Sequence, residues 1–261
     1  MNTSNYTFGD SDQALTRLRW LSHAYEQATR DMLTRYAPGQ VRHAVDLGCG
    51  PGFTTRLLHD VVKAERTTGL DSSARYIDFA AHDAPAAVHF LVHDVLGAPP
   101  SQLPPADLLL CRHLLAHVAD LRAALAAFGR LASPGARLLI QETESLRSEH
   151  PALARYYECV SAMQAAHGQR TYVGGHLEQA CEGSGFVVEQ SRLNELEQDP
   201  RLMARLHRLN LGTWRRDERA LELFDALELD ALDATLMRIE TGEDQASPVR
   251  NGLRELVLRL G

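Results

Sequence analysis

Between Ala14 and Tyr36, apolar residues fall at positions 15, 18, 21, 25, 28, 32 and 36, the spacing of one helix face, and Pro38-Gly39 ends the segment. The period then changes. Short strand patterns at 43–47, 66–70, 88–92, 107–111 and 137–141 alternate with helix-period stretches at 53–62, 74–82 and 121–131. Ser72 or Ser73 is placed to cap the second of these helices, and Ser133-Pro-Gly135 turns the chain into the fifth run. Strands that alternate with ten-residue helices imply right-handed crossovers and a doubly wound, mostly parallel α/β sheet.

The alternation loosens after Glu142. Residues 146–167 are expected to be helical, 169–175 a loop, and a short helix is expected to reach Gly183. Residues 186–189 form a sixth apolar run, and a helical stretch from Pro200 to about Ser247 follows. That stretch is charge-segregated: 201–216 holds arginines and no acid, while Asp and Glu dominate 217–244. Residues 252–260 alternate enough to be a seventh strand, expected antiparallel, with a helix as the competing reading. This divides the chain into a helical cover at 1–36, a core at 37–145, and a region at 146–261 whose helices cover the sheet and whose strands complete it. Residues 1–12 are expected to be disordered.

With 261 residues, 44% of them hydrophobic, the chain can bury one sizeable core. The net charge of −7 weighs against a general nucleic-acid binder. The polar start MNTSNYTFGDSDQ has no apolar leader run, and no stretch approaches a membrane span, so a cytoplasmic protein with no membrane partner is expected. The Asn2 and Asn5 glycosylation patterns carry no weight without secretion. Cys49, Cys111, Cys159 and Cys181 show no metal-type spacing and read as reduced thiols.

Chemistry concentrates at the carboxyl ends of the strand patterns. Residues 45–52 read Val-Asp-Leu-Gly-Cys-Gly-Pro-Gly, a strand end, an acid and a glycine turn entering a helix. Glycines at 48, 50 and 52 let a ligand lie against backbone. Asp46 disfavours a pyrophosphate and suits a ligand with positive charge, and Phe53 stands where a dinucleotide fingerprint needs Gly or Ala. Both features point from NAD toward S-adenosylmethionine, which carries a sulfonium and an ammonium. Asp71 follows the second strand, Asp94 the third and Arg112-His113 the fourth, all at the sheet edge where such folds bind ligands. Asp71 can accept from ribose hydroxyls and Asp94 from an adenine amine.

These motifs resemble the class I S-adenosylmethionine-dependent methyltransferases. VDLGCGPG matches the family's first motif, GLDSS its second, VHDV its third and DLLLCRHLLAHV its fourth, and LASPGARLLIQE resembles its turn into strand five. The resemblance implies a Rossmann-like seven-stranded sheet with helical covering insertions. It implies cofactor contacts at Asp46, Gly48, Cys49, Gly50, Asp71, Ser72, Asp94, Val95 and Arg112. Segments 14–36 and 146–247 resemble the variable helices of members acting on small molecules. The implied activity is methyl transfer to a small metabolite in specialised metabolism, by a monomer or homodimer. Competing readings are an RNA or protein methylase, and a regulator that binds the cofactor without transfer. No Asn-Pro-Pro-Tyr-type tetrapeptide follows the fourth strand, which weighs against nucleic acid.

Methyl transfer asks the protein for orientation, and for a base only when the nucleophile is protonated. His113 and His117 are the best-placed bases, with Glu142 a third. Tyr25, Tyr172 and His176 are candidates to meet the substrate from the covering segments, and no metal is expected.

Overall fold

The computed structural model describes residues 11–261. Expectations placed on residues 1–10, including the two glycosylation patterns, lie outside the described residues. The strands are β1 (His43–Leu47), β2 (Arg66–Asp71), β3 (Val88–Val92), β4 (Ala106–Arg112), β5 (Ala132–Arg147), β6 (Phe186–Gln198) and β7 (Val249–Leu260). The helices are α1 (Asp12–Tyr36), α2 (Phe53–Val62), α3 (Ala74–Ala81), α4 (Leu121–Gly129), α5 (Pro151–Ala166), α6 (Leu177–Ala180), α7 (Pro200–Trp214), α8 (Glu218–Leu223) and α9 (Ala226–Thr241).

The strands form one sheet in the order β3-β2-β1-β4-β5-β7-β6. β1 to β5 run parallel, and β7 lies antiparallel between β5 and β6. β1 is buried along its whole length, as a central parallel strand covered on both faces must be. One face packs Val45, Leu47, Leu109 and Ile140 against α4 through Leu125 and Phe128. The other packs Ala44, Leu108, Leu110 and Leu139 against α1 and α2 through Met32, Leu33 and Leu58. The covering helices have a core of their own, in which Tyr156, Tyr157, Met203, Trp214, Leu236 and Ile239 cluster.

Several boundaries differ from the sequence expectation. α1 begins at Asp12, because Ser11 caps it by accepting from the Ala14 N–H. Ser73, not Ser72, caps α3. β5 runs six residues past Gln141, and β6 continues to Gln198 instead of ending at Glu189. Both extensions pair with β7, which starts at Val249 rather than 252. The β6 extension is largely exposed on both sides, so it carries no hydrophobic alternation. The helix expected at 146–167 starts only at Pro151, since the residues up to Arg147 belong to the sheet. The stretch from 200 to 247 is three helices, with α8 and α9 each capped by an aspartate, Asp217 and Asp225. Its charge segregation resolves into interhelical pairs: Arg208 bonds Asp233 at 3.0 Å and Glu240 at 2.7 Å, and Arg215 meets Asp230.

Candidate functional site

The glycine turn after β1 leads directly into α2. Gly52 is its N-cap with φ +79°, and a Cβ there would lie 2.7 Å from the Phe90 ring and 2.9 Å from Ala80, so its smallness serves packing. Gly50 differs. Its φ is +51°, yet the nearest protein atom to a Cβ would be Leu18 Cδ1 at 3.6 Å. The space it leaves is open to a ligand. Asp71, at the end of β2, fixes the turn: one carboxylate oxygen accepts from the Gly50 N–H at 2.8 Å and the other from the Ser73 N–H at 2.9 Å.

A cavity of about 370 Å³ opens along this edge and continues beneath α1, α5 and α7. Of the residues expected to contact the cofactor, Gly48, Cys49, Gly50, Asp71, Ser72, Asp94, Val95 and Arg112 line it. Asp46 does not. Its side chain is 1% exposed and turns under the glycine loop, where it accepts from Thr55 Oγ1 at 2.7 Å. Burial pushes its pKa up to about 7, opposed by the Thr55 bond and the Arg112 charge. Its place is beneath the loop, holding the first turn of α2, rather than at the cavity surface. Asp94 is exposed and closes its own turn by accepting from the Leu96 N–H at 3.0 Å.

The three expected catalytic candidates also line the cavity. His113 has φ +53°, and its N–H donates to Gln141 O at 3.1 Å. Its ring stands edge-on to Tyr25 at 4.6 Å, and its Nε2 is buried without a partner. Burial, then the Arg112 charge, lowers its pKa to about 3. Burial also lowers His117 to about 4, against the hydrogen bond to Gln169. Both imidazoles are therefore neutral at neutral pH. Glu142 is 1% exposed, and one carboxylate oxygen accepts from Leu114 N at 2.8 Å and Leu115 N at 2.6 Å. It thereby closes the turn that leads into the 3₁₀ segment Leu115–His117. Burial raises it to about 8.

Of the expected substrate contacts, only Tyr25 lines the cavity. Its hydroxyl bonds Asn251, and burial raises its pKa to about 12. Tyr172 and His176 stand elsewhere. Thr171 takes the cavity position, its hydroxyl 2.6 Å from Gln164 Oε1. His176 is exposed on a turn whose Gly174 packs against Glu144 and Arg254 of the β5–β7 ribbon.

Other cavity residues carried no signal in the sequence pattern: Arg17, Tyr156, His207 and Asn210. Arg17 sits on the buried face of α1 among apolar neighbours, and His207 interrupts a run of arginines that reads as a solvated surface. Only the packing of α1 and α7 brings them to the site, with the Arg205 guanidinium 4.3 Å from the Trp20 ring between those helices. A buried chain of bonds ties α1 to the sheet. Arg112 donates to Thr29 Oγ1 at 3.0 Å, Thr29 meets Gln141 Oε1 at 2.7 Å, and Gln141 donates to Glu255 at 2.9 Å. All four cysteines are buried and unbridged. Among the described residues no helix is long and apolar enough to cross a membrane.

The chain is similar to known proteins in sequence and in fold. It is 33% identical over 143 residues to the O-methyltransferase cnsE of Penicillium expansum, a match covering 51% of this chain and 50% of that protein, so it spans half of that relative's length. It is 27% identical over 256 residues to trans-aconitate 2-methyltransferase of Azoarcus sp., covering 88% of each. A putative methyltransferase from Bacillus halodurans shares the fold, with TM-score 0.60, 13% identity, and coverage of 89% of this chain and 98% of that one. Residues 19–191 match the family model described as a methyltransferase domain, and the chain belongs to that family.

Proposed function

We propose that this protein is an S-adenosylmethionine-dependent methyltransferase acting on a small molecule. The observation that carries the reading is that one cavity spans both ends of the site. It joins the glycine turn, Asp71 and Asp94 to a second compartment walled by Tyr25, His113, Tyr156 and His207. Its volume of about 370 Å³ falls within the roughly 300–1,000 Å³ of small-ligand pockets. The residues fit the cofactor. Gly50 leaves room against backbone, and the Asp71 carboxylate lines the cavity beside it, the group type that ribose hydroxyls bond. Asp94 and Val95 line the same cavity and would meet the adenine.

When bound, S-adenosylmethionine supplies an electrophilic methyl carbon. The chain supplies orientation and a dry compartment. Helices α1, α5 and α7 cover the far end, and the Arg112–Thr29–Gln141 bonds hold α1 in place. The covering role of 12–36 and of the helices after 146 belongs to this proposal. A small acceptor also suits the net charge of −7 and the helical cover better than RNA does.

Purified protein given methyl-labelled cofactor and a metabolite extract tests the reading. Label should enter small molecules. Label confined to RNA or protein would support a macromolecular methylase, and bound cofactor with no transfer would support a regulator.

A further inference from the structure

Away from the glycine turn the cavity runs on beneath α1, α5 and α7, and hydrocarbon dominates its wall there. Val160 on α5 and Met203 and Leu206 on α7 line it from within a closed apolar cluster, and all three are buried. Leu21 on α1 and Leu146 on β5 differ. Both pack against that cluster and both line the cavity, yet both are only half-buried. Each turns one side to the core and leaves another open at the cavity surface. Apolar surface left open in a recess is stabilised when an apolar partner covers it.

The charged groups of the wall are already engaged. Among the described residues they are Arg17, Asp71, Asp94, Arg112 and Glu142. Asp71 and Asp94 stand at the cofactor end, each bonded to backbone N–H groups. Arg112 donates to Thr29 and feels the Asp46 charge, and Arg17 has a partner. Glu142 holds the Leu114 and Leu115 N–H groups. Burial keeps the imidazoles of His113, His117 and His207 neutral. Nearby polar side chains bond one another, Thr171 to Gln164 and His117 to Gln169. A charged or polyhydroxylated group lodged against Leu21 and Leu146 would give up its water without an ion or a full set of hydrogen bonds in return, which is unfavourable. A hydrocarbon group meets no such penalty.

Resting on the methyltransferase reading above, we infer that Leu21 and Leu146 select the methyl acceptor, and that the acceptor is a compound whose body is a hydrocarbon ring or chain, uncharged where it lies against these two side chains. The two leucines touch the body of the acceptor and not its reacting atom, so they set which molecule enters and leave the chemistry to the cofactor.

The test uses the full chain. Given methyl-labelled cofactor and a metabolite extract, it should place label in products that an octadecyl column retains from neutral water. Label in products that run through with sugars, amino acids and polycarboxylates would overturn the inference while leaving the methyltransferase reading intact. No label in any small molecule would overturn that reading, and this inference with it. A second measurement needs no turnover. Protein saturated with S-adenosylhomocysteine is titrated calorimetrically with 4-methyl-, 4-ethyl-, 4-propyl- and 4-butylphenol. Affinity should rise about threefold with each methylene covered, with a negative heat-capacity change. A flat series would overturn the inference. Leu146→Asn and Leu21→Asn should each weaken 4-butylphenol binding at least about fivefold, with affinity for S-adenosylhomocysteine within about twofold of wild type. Leu146→Met conserves volume and apolar character and should stay within about twofold for both ligands. Unchanged 4-butylphenol affinity in both Asn variants, or equal losses in Leu146→Asn and Leu146→Met, would overturn the role assigned to the two leucines.

Discussion

Replacing Glu142 separates two roles that its position alone would allow. The carboxylate accepts from the Leu114 and Leu115 N–H groups at 2.8 and 2.6 Å, in a setting where it is 1% exposed. Glu142→Ala orphans both donors at about 1–3 kcal/mol each, a total of about 2–6 kcal/mol. For a chain of this size each kcal/mol moves Tm by roughly 2–4 °C, so the Ala variant should melt roughly 5–20 °C lower. Glu142→Gln keeps an oxygen at the same reach and should melt near wild type at about pH 5. The difference should depend on pH with a definite sign. Burial raises the folded pKa to about 8, above the unfolded 4.5. The stability from the neutral carboxyl is therefore full below about pH 4.5 and lost as pH rises through 8. Gln undergoes no such loss, so Tm of the Gln variant minus that of wild type should grow between pH 5 and 8. Calorimetric melts of the three proteins across that range, with turnover measured alongside, decide the matter. An Ala variant that melts with wild type would refute the turn-holding role. A Gln variant with native Tm and turnover lowered about 10²- to 10⁴-fold would instead make Glu142 a proton-transfer group.

Three further outcomes are expected. Asp71→Ala should weaken S-adenosylhomocysteine binding at least about tenfold by calorimetry, through lost ribose bonds and a loosened Gly50; equal affinity would refute that placement. Gly50→Val puts a branched side chain at φ +51° into the open space beside the turn, so binding should vanish while circular dichroism stays near native. His207 is held near pKa 3 by burial, so turnover should show no rise through pH 6–7 attributable to it. Because its folded pKa lies below the unfolded 6.5, its contribution to stability is full above 6.5 and is lost toward acid, by roughly 2 kcal/mol at pH 5. The acid limb of the Tm–pH curve should accordingly be shallower in His207→Phe, and identical limbs would contradict the neutral-imidazole assignment.

The parallel half of the sheet was legible because burial on both faces writes continuous apolar runs, as in Ala44-Val45 and Leu108–Cys111. The ligand edge was legible because glycines and strand-end acids must sit at set places in that topology. The extensions of β5 and β6 were not. Their residues satisfy backbone pairing with β7 while facing solvent, and polar stretches such as Ser191–Gln198 record no such partner. The far wall of the cavity was also hidden. Arg17 and His207 owe their burial to the meeting of α1 with α7, helices almost 200 residues apart in the chain, and nothing local marks that encounter. Asp46 shows the converse case, a residue whose motif is legible while the place of its side chain, bonded to Thr55, is not.

The ladder between the two last strands begins where Gln198 stands opposite Val249. Everything from Asp199 to Pro248, three helices with their own ion pairs and an apolar cluster shared with α5, thus leaves and re-enters the sheet at one rung. A piece of chain attached by adjacent ends can be lengthened, shortened or exchanged for another without disturbing the strands that bear it. The cavity wall contributed by α7 is in that sense a replaceable cartridge, and a chimera joined at 198 and 249 would set a relative's version of that wall over this chain's glycine turn.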